Sequence, residues 1–230
     1  MSKEIQKMFS SIADTYDAAN RILSFRTDVR WRQLAVETCL KKNPTSILDL
    51  CAGTLDLSVA LYERAPYVSI VACDFSLPML REGLHKTPAK NIQITCGDAH
   101  SLPFRAESFD ALVCGFGIRN LELREQALQE IRKVLKQRGS FVILEFFKPN
   151  TGLSKLFYQT YGKYILPTLG GLISKNPDAY RYLFRSIQQF VTLEEYEALL
   201  HKHHFSLRSS KPLSGGIAHL LEAEAVWKLF

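Results

Sequence analysis

The 230-residue chain contains no CxxC pair, no GxGxxG turn and no apolar run long enough to cross a bilayer. Its five cysteines, Cys39, Cys51, Cys73, Cys96 and Cys114, are odd in number and widely spaced. That pattern predicts buried reduced thiols in a cytosolic protein. The opening MSKEIQKMF is too polar for a secretory h-region. The longest apolar run, about Tyr164 to Ile173, is half the length of a spanning helix and is broken by Pro167, Gly170 and Gly171, so no span is expected. HKHH, His201 to His204, carries ligand side chains but ends a predicted helix and lacks convergent partners, so no metal is expected. With no internal repeat and no low-complexity linker, one domain carrying an insertion is the expectation.

What remains is ordinary for a folded domain: 47% hydrophobic and 23% charged residues. The net charge of +6 permits an anionic partner, nucleic acid or a lipid surface, and equally a solvated basic surface. Residues 1–40 read as helical, with a second helical stretch from Trp31 to Leu40. Strands and helices then alternate: SILDLC, a helix Asp56 to Arg64, SIVACD, a helix Leu77 to Lys86, NIQITCGD, DALVCGF, a helix Arg124 to Lys136, and SFVILEFF opened by Gly139. This rhythm predicts an α/β fold with a parallel, doubly wound sheet. After Pro149 it breaks into an aromatic and basic stretch, 151–190. A capping-box helix follows, TLEEYEALLH, and then two closing strands, FSLRSSKPL and IAHLLEAEAVWKLF.

Ligands of open α/β sheets bind beyond the carboxyl ends of the strands. Four segments should meet there. In the turn CAGTLD, Gly53 lets the backbone approach a ligand, and the helix that follows favours a negative group. Asp74, ending SIVACD, can accept two hydrogen bonds from a ribose diol. Gly97-Asp98-Ala99 offers a carboxylate and a backbone N–H to an adenine edge. Gly115-Phe116-Gly117 ends the fourth strand. Together they point to an adenosine-type cofactor. NAD is disfavoured, because its pyrophosphate needs the missing glycines and Asp56 sits where the phosphates would lie. Asp56 suits the ammonium of S-adenosylmethionine or, alternatively, stabilises the helix dipole.

The series FSSIADTYDAANRILSF with DVRWR, LDLCAGTLDLS, SLPFRAESFDALVCGFGIRN, LEFFKP and YRYLFRSIQQF, in that order, resembles the class I S-adenosylmethionine-dependent methyltransferases. More narrowly it resembles the ubiquinone/menaquinone biosynthesis C-methyltransferases, over nearly the whole chain. The resemblance implies a Rossmann-like class I methyltransferase fold: a seven-stranded, mostly parallel sheet with one antiparallel strand, helices on both faces and a helical insertion after the fifth strand. It implies S-adenosyl-L-methionine as cofactor, with Thr54, Asp74, Asp98 and Ala99 as contacts beside Gly53, Asp56 and Gly115. It implies C-methylation of a prenylated quinol faced by Arg119 and Asn120. Leu55 stands where that family carries glycine, and Gly115 where relatives often have serine. A Leu55→Gly exchange is expected to leave cofactor binding equal or tighter.

The expected parts are an N-terminal helical cap (1–40), a cofactor-binding core (41–150), a helical substrate lid (151–190) and a C-terminal helix with closing strands (191–230). In the chemistry, the fixed charge of Arg119 lowers the pKa of the quinol hydroxyl. A water held by Arg119, Asn120 and a carboxylate such as Asp98 takes the proton, and Tyr16 closes the site. In the lid, Lys155, Lys163, Lys175, Arg181 and Arg185 stand against Asp178 alone, interleaved with Phe157, Tyr158, Tyr161, Tyr164, Tyr182 and Phe184. That mixture suits a greasy tail and peripheral contact with an anionic membrane from the cytoplasmic side, or else a plain helical cap. No segment fixes the oligomeric state, and a homodimer stays open. Two rivals remain: a class I methyltransferase acting on another small molecule or RNA, and a non-catalytic cofactor binder. GFGIRN lacks the Asn/Asp-Pro-Pro-aromatic run of base-amino methyltransferases, which argues against a nucleic-acid partner.

Overall fold

The computed structural model describes residues 3–86, 92–149 and 176–226, together with positions 152, 155, 158 and 160. Helices α1 (Lys3–Ser10), α2 (Tyr16–Leu23) and α3 (Thr27–Leu40) precede an alternating core. The core runs β1 (Ser46–Leu50), α4 (Asp56–Arg64), β2 (Ser69–Asp74), α5 (Leu77–Leu84), β3 (Ile92–Cys96), β4 (Phe109–Gly115), α6 (Arg124–Val134) and β5 (Leu135–Glu145). Then come α7 (Pro177–Gln189), α8 (Leu193–Lys202), β6 (Phe205–Leu213) and β7 (Ala218–Ala225).

The seven strands form one sheet in the order β3-β2-β1-β4-β5-β7-β6. β1 to β5 pair in parallel, and β7 lies antiparallel to both β5 and β6. β6 and β7 are joined by the short turn Ser214–Gly216, too short for the crossover that a parallel pair needs. The order reverses between β1 and β4, and this is where an open α/β sheet leaves a crevice.

The sheet is buried on both sides, so its central strands are mostly apolar rather than alternating, with Asp49 a buried exception in β1. Leu48 and Leu50 of β1 join Ile131 of α6 and Leu200 of α8 in one core cluster. Ile47 joins Trp31 and Ala35 of α3, Leu61 of α4 and Leu80 of α5 in another. Each fully buried Leu or Ile contributes about 1.5–3 kcal/mol.

Two element boundaries differ from the sequence pattern. α3 begins at Thr27, not Trp31. β5 begins at Leu135, directly after α6, because Leu135 pairs with Phe109 before a register shift and pairing resumes from Ser140. Between them Arg138 takes left-handed backbone, φ 62°, at the irregularity. No helix of the described residues is long and apolar enough to cross a membrane. Most of the expected lid before Asn176, including Phe157, Tyr161, Lys163, Tyr164 and Lys175, lies outside the described residues.

Candidate active site

The turn after β1 is built on left-handed backbone. Cys51, Gly53 and Leu55 have φ of 58°, 54° and 65°. This zigzag turns backbone N–H groups toward the carboxyl ends of β1 and β2. Asp74 fastens it from the neighbouring strand: its Oδ2 accepts the Gly53 N–H at 2.9 Å and its Oδ1 the Ser76 N–H at 2.7 Å. Burial raises the Asp74 pKa, while the N–H donors of Ser76, Gly53 and Phe75 work against that rise. The two oxygens carry four lone pairs for these three N–H donors, which leaves an acceptor for a diol hydroxyl. Leu55 is fully buried and points into the packing of α4 and α5, not over the turn.

Thr54 and Asp56 face the N-terminal helices. The Thr54 hydroxyl donates to Asp17 Oδ1 of α2 at 2.6 Å. Asp56 accepts from Arg21 at 2.8 Å and from Lys86 at 3.0 Å, with Arg32 at 3.6 Å. Burial opposes its charge, but Arg32, Lys86 and Arg21 outweigh it, and its pKa is lowered. Arg21 and Arg32 also pair with the buried Asp28, and Lys86 with Asp17. Three carboxylates and three cations thus tie α2 and α3 to the turn. Asp56, expected to meet a cofactor ammonium, already has its partners inside the chain.

Asp98 and Ala99 follow β3. Asp98 Oδ1 accepts the His100 backbone N–H at 3.0 Å and meets His100 Nδ1 at 2.7 Å. Burial opposes the Asp98 charge, but these contacts prevail and its pKa is lowered. Ala99 is buried beside it. Gly115 ends β4 against α4: a β-carbon there would lie 2.6 Å from Leu57 Cδ1, so the Leu57 side chain would have to shift to admit one.

Arg119 sits in a short 3-10 turn, Ile118–Asn120, after β4. Its Nη1 donates to Glu145 Oε1 at 2.9 Å and also to the Phe116 carbonyl, its Nε donates to Ser186 at 3.3 Å, and its backbone N–H reaches Glu145 Oε2 at 3.2 Å. Glu145 is 0% exposed. Burial works against the guanidinium charge, but Glu145, with Tyr16 and Tyr182, raises its pKa. The carboxylate that pairs with Arg119 is Glu145, whereas Asp98, expected there as one possible carboxylate, pairs with His100. β5 is the neighbour of β4, and it supplies Glu145.

A cavity of about 290 Å³ opens beside Arg119. Its walls include Phe9 and Tyr16 from the N-terminal helices, Trp31 and Arg32 from α3, Phe116 and Phe146 beyond β4 and β5, and Tyr182 and Ile187 from α7. Phe116 and Phe146 stack at 4.6 Å between ring centres, with Trp31 edge-on to Phe146 at 6.0 Å. Tyr16 lines this cavity, and burial raises its pKa against the opposing charges of Arg119 and Arg32, so the phenol stays neutral. Asn120 does not line it. Asn120 accepts the hydroxyl of Tyr182 at 2.9 Å, and Tyr182 lines the wall.

A family model described as the ubiE/COQ5 methyltransferase family matches residues 1–223. The chain belongs to this family. It is 45% identical over 203 residues to a demethylmenaquinone methyltransferase of Thermus thermophilus, covering 87% of this chain and 92% of the relative. It is 37% identical over 227 residues to the ubiquinone/menaquinone biosynthesis C-methyltransferase UbiE of Geotalea uraniireducens, covering 96% of each. In fold it is similar to a SAM dependent methyltransferase from Aquifex aeolicus, with TM-score 0.57 and 14% identity over 79% of this chain and 82% of that one.

Two acids of this family member's site were passed over in the sequence. Glu145 is one. Asp49, in β1 under the turn, is the other: it is 0% exposed, its Oδ2 accepts the Ser58 hydroxyl at 2.6 Å, and its Oδ1 has no hydrogen-bond partner among the described residues. Burial pushes its pKa up to about 7. The signal for both was a lone acid inside an otherwise apolar strand, which is costly unless the charge is used or neutralised.

Proposed function

We propose that the chain transfers a methyl group from S-adenosylmethionine to a ring carbon of a prenylated quinol. The product is menaquinol, from demethylmenaquinol, and/or the C-methylated form of a 2-methoxy-6-polyprenyl-1,4-benzoquinol. The observation that carries the reading is the aromatic-walled cavity with Arg119, held from behind by the buried Glu145, on its wall.

The residues present fit the cofactor. Asp74 is oriented by backbone N–H groups with an acceptor left for a diol hydroxyl, and the orphaned Asp49 oxygen lies under the turn as an acceptor for a cationic ligand. Gly53, Thr54, Asp74, Asp98 and Ala99 would hold it, with Gly115 keeping α4 close. When bound, S-adenosylmethionine supplies an electrophilic methyl on a sulfonium whose leaving group is neutral, so no general acid is needed.

The chain then has three tasks. The rings of Trp31, Phe116 and Phe146 exclude water and hold the quinol ring in place. The quinol hydroxyl passes its proton to water, and Arg119, with Nη1 and Nε committed to Glu145, Phe116 and Ser186, stabilises the oxyanion through its guanidinium charge; the adjacent carbon then takes the methyl and loses its own proton to water as the ring regains aromaticity. Tyr16 and Tyr182, with Asn120 behind Tyr182, frame the approach. Tyr158, Leu183 and Ile187, which line the cavity, would meet the start of the prenyl tail, and the tail brings the enzyme to a membrane surface. Incubation with labelled S-adenosylmethionine and both demethylated quinol types tests the reading. One of them gains the methyl group, and label in neither would reject the proposal.

A further inference from the structure

Helix α2 is apolar on two sides. Ala19 and Leu23 face inward, in a cluster with Ile12 and Tyr180. Ala18, Ile22 and then Phe25 follow on the other side at helical spacing and are exposed, Ile22 by 54% and Phe25 by 79%. The helix ends in a Schellman turn: the Arg26 N–H donates to the Arg21 carbonyl at 2.8 Å and the Phe25 N–H to the Ile22 carbonyl at 3.1 Å. Phe25 takes the left-handed position of that turn, φ 50°, where glycine is usual, and Arg26 follows at φ 60°. A large ring is thus held outward in a strained position that a smaller residue would occupy more easily. Phe25 also lines the cavity beside Arg119, so its exposed ring stands at the cavity mouth.

The charges at this corner sort by side. Asp17, Asp28 and Asp56 are each paired inward, with Lys86, Arg21 and Arg32. Arg26 and Arg30, one helical turn apart, are exposed and form no ion pair with a described residue. The outward face therefore combines two large apolar side chains with unbalanced positive charge.

We propose that the corner between α2 and α3 docks on an anionic lipid surface, with Ile22 and Phe25 in the headgroup–acyl boundary and Arg26 and Arg30 on the headgroups. The inference rests on the prenylated-quinol reading, since a substrate dissolved in that surface would enter at the mouth where Phe25 stands. It places contact on the N-terminal helices rather than on 151–190.

Flotation of the full chain with phosphatidylglycerol/phosphatidylcholine vesicles tests it. Wild type floats, less so as salt rises. Ile22→Ser with Phe25→Ser lowers vesicle affinity by at least about tenfold. Arg26→Gln and Arg30→Gln lower it about fivefold each. Ile22→Ser, outside the cavity, keeps wild-type turnover of a water-soluble short-chain quinol and loses turnover of a long-chain quinol embedded in vesicles. A wild type that does not float, or variants that float equally, overturns the proposal. So does a wild-type dimer that Ile22→Ser converts to monomer, because the corner would then be covered by a second copy. Flotation lost in the variants, without methyl transfer to any quinol, would uphold the docking surface and reject the substrate.

Discussion

The side chain of Leu55 fills the space that a side chain at position 83 would need. A β-carbon on Gly83 would lie 2.4 Å from Leu55 Cγ and 2.8 Å from the Thr54 carbonyl carbon and oxygen. α5 rests directly on the cofactor turn, and the large residue at 55 is matched by the smallest at 83. Leu55→Gly therefore carries a stability cost. Losing a buried leucine costs about 3–5 kcal/mol. Relief of the left-handed φ of 65° returns about 1 kcal/mol. A net loss of about 2–4 kcal/mol is expected, read as a lower urea midpoint.

Gly83→Ala tests the same contact from the other side. The added carbon meets backbone at Thr54, which cannot swing away as a side-chain tip can, so the turn itself must move. A destabilisation of about 1–3 kcal/mol is expected, with weaker S-adenosylmethionine binding in calorimetry. Unchanged affinity would show that α5 moves and the turn stays.

Local features were legible in the sequence and long-range ones were not. α4 and β2 fall at the residues their flanking turn signals mark. The turn around Gly53 and the acid Asp74 were readable because both sit at strand ends, but the bond from the Gly53 N–H to Asp74 was not. The start of α3 was not, because the break before it is made by Phe25 and Arg26 in left-handed backbone, with no glycine or proline to signal it. The carboxylate beside Arg119 depended on which strand neighbours β4, and only strand order brings Glu145 of β5 there. The cation set around Asp56 comes from Arg21, Arg32 and Lys86, dispersed along the chain, and no spacing rule joins them.

Arg119 and Glu145 should separate in kinetics. Arg119→Ala removes the oxyanion partner, and kcat at saturating quinol should fall by about 10²–10³ with KM for S-adenosylmethionine little changed. It also leaves Glu145 buried without its counter-charge, a cost of about 3–5 kcal/mol, so rates are normalised to the folded fraction by circular dichroism. Glu145→Gln keeps one acceptor oxygen where the carboxylate serves the Arg119 N–H through Oε2 and the Phe146 N–H through Oε1, so it loses one of these bonds together with the charge that fixes the guanidinium, and kcat should fall by about tenfold or more. Wild-type turnover in folded Arg119→Ala would remove Arg119 from the chemistry.

Asp49 sets a pH dependence of definite sign. Its pKa lies at about 7 in the folded chain against the ordinary 3.8, because burial penalises the charge more than the Ser58 hydroxyl relieves it. Asp74, and more distantly Arg32, are the other charges acting on it. The folded state therefore holds a proton that the unfolded state releases, and stability falls as pH rises from about 4 to about 7. At about 1.4 kcal/mol per pH unit, the contribution lost reaches a few kcal/mol. Asp49→Asn keeps the side-chain shape without the titration. The difference between the melting temperatures of wild type and Asp49→Asn should thus grow across that window and level off above it, with wild type the less stable at pH 8. S-adenosylmethionine brings positive charge to the turn above Asp49 and favours its ionised form. Binding to wild type near pH 6.5 should then release a proton, seen as a buffer-dependent enthalpy in calorimetry and absent from Asp49→Asn.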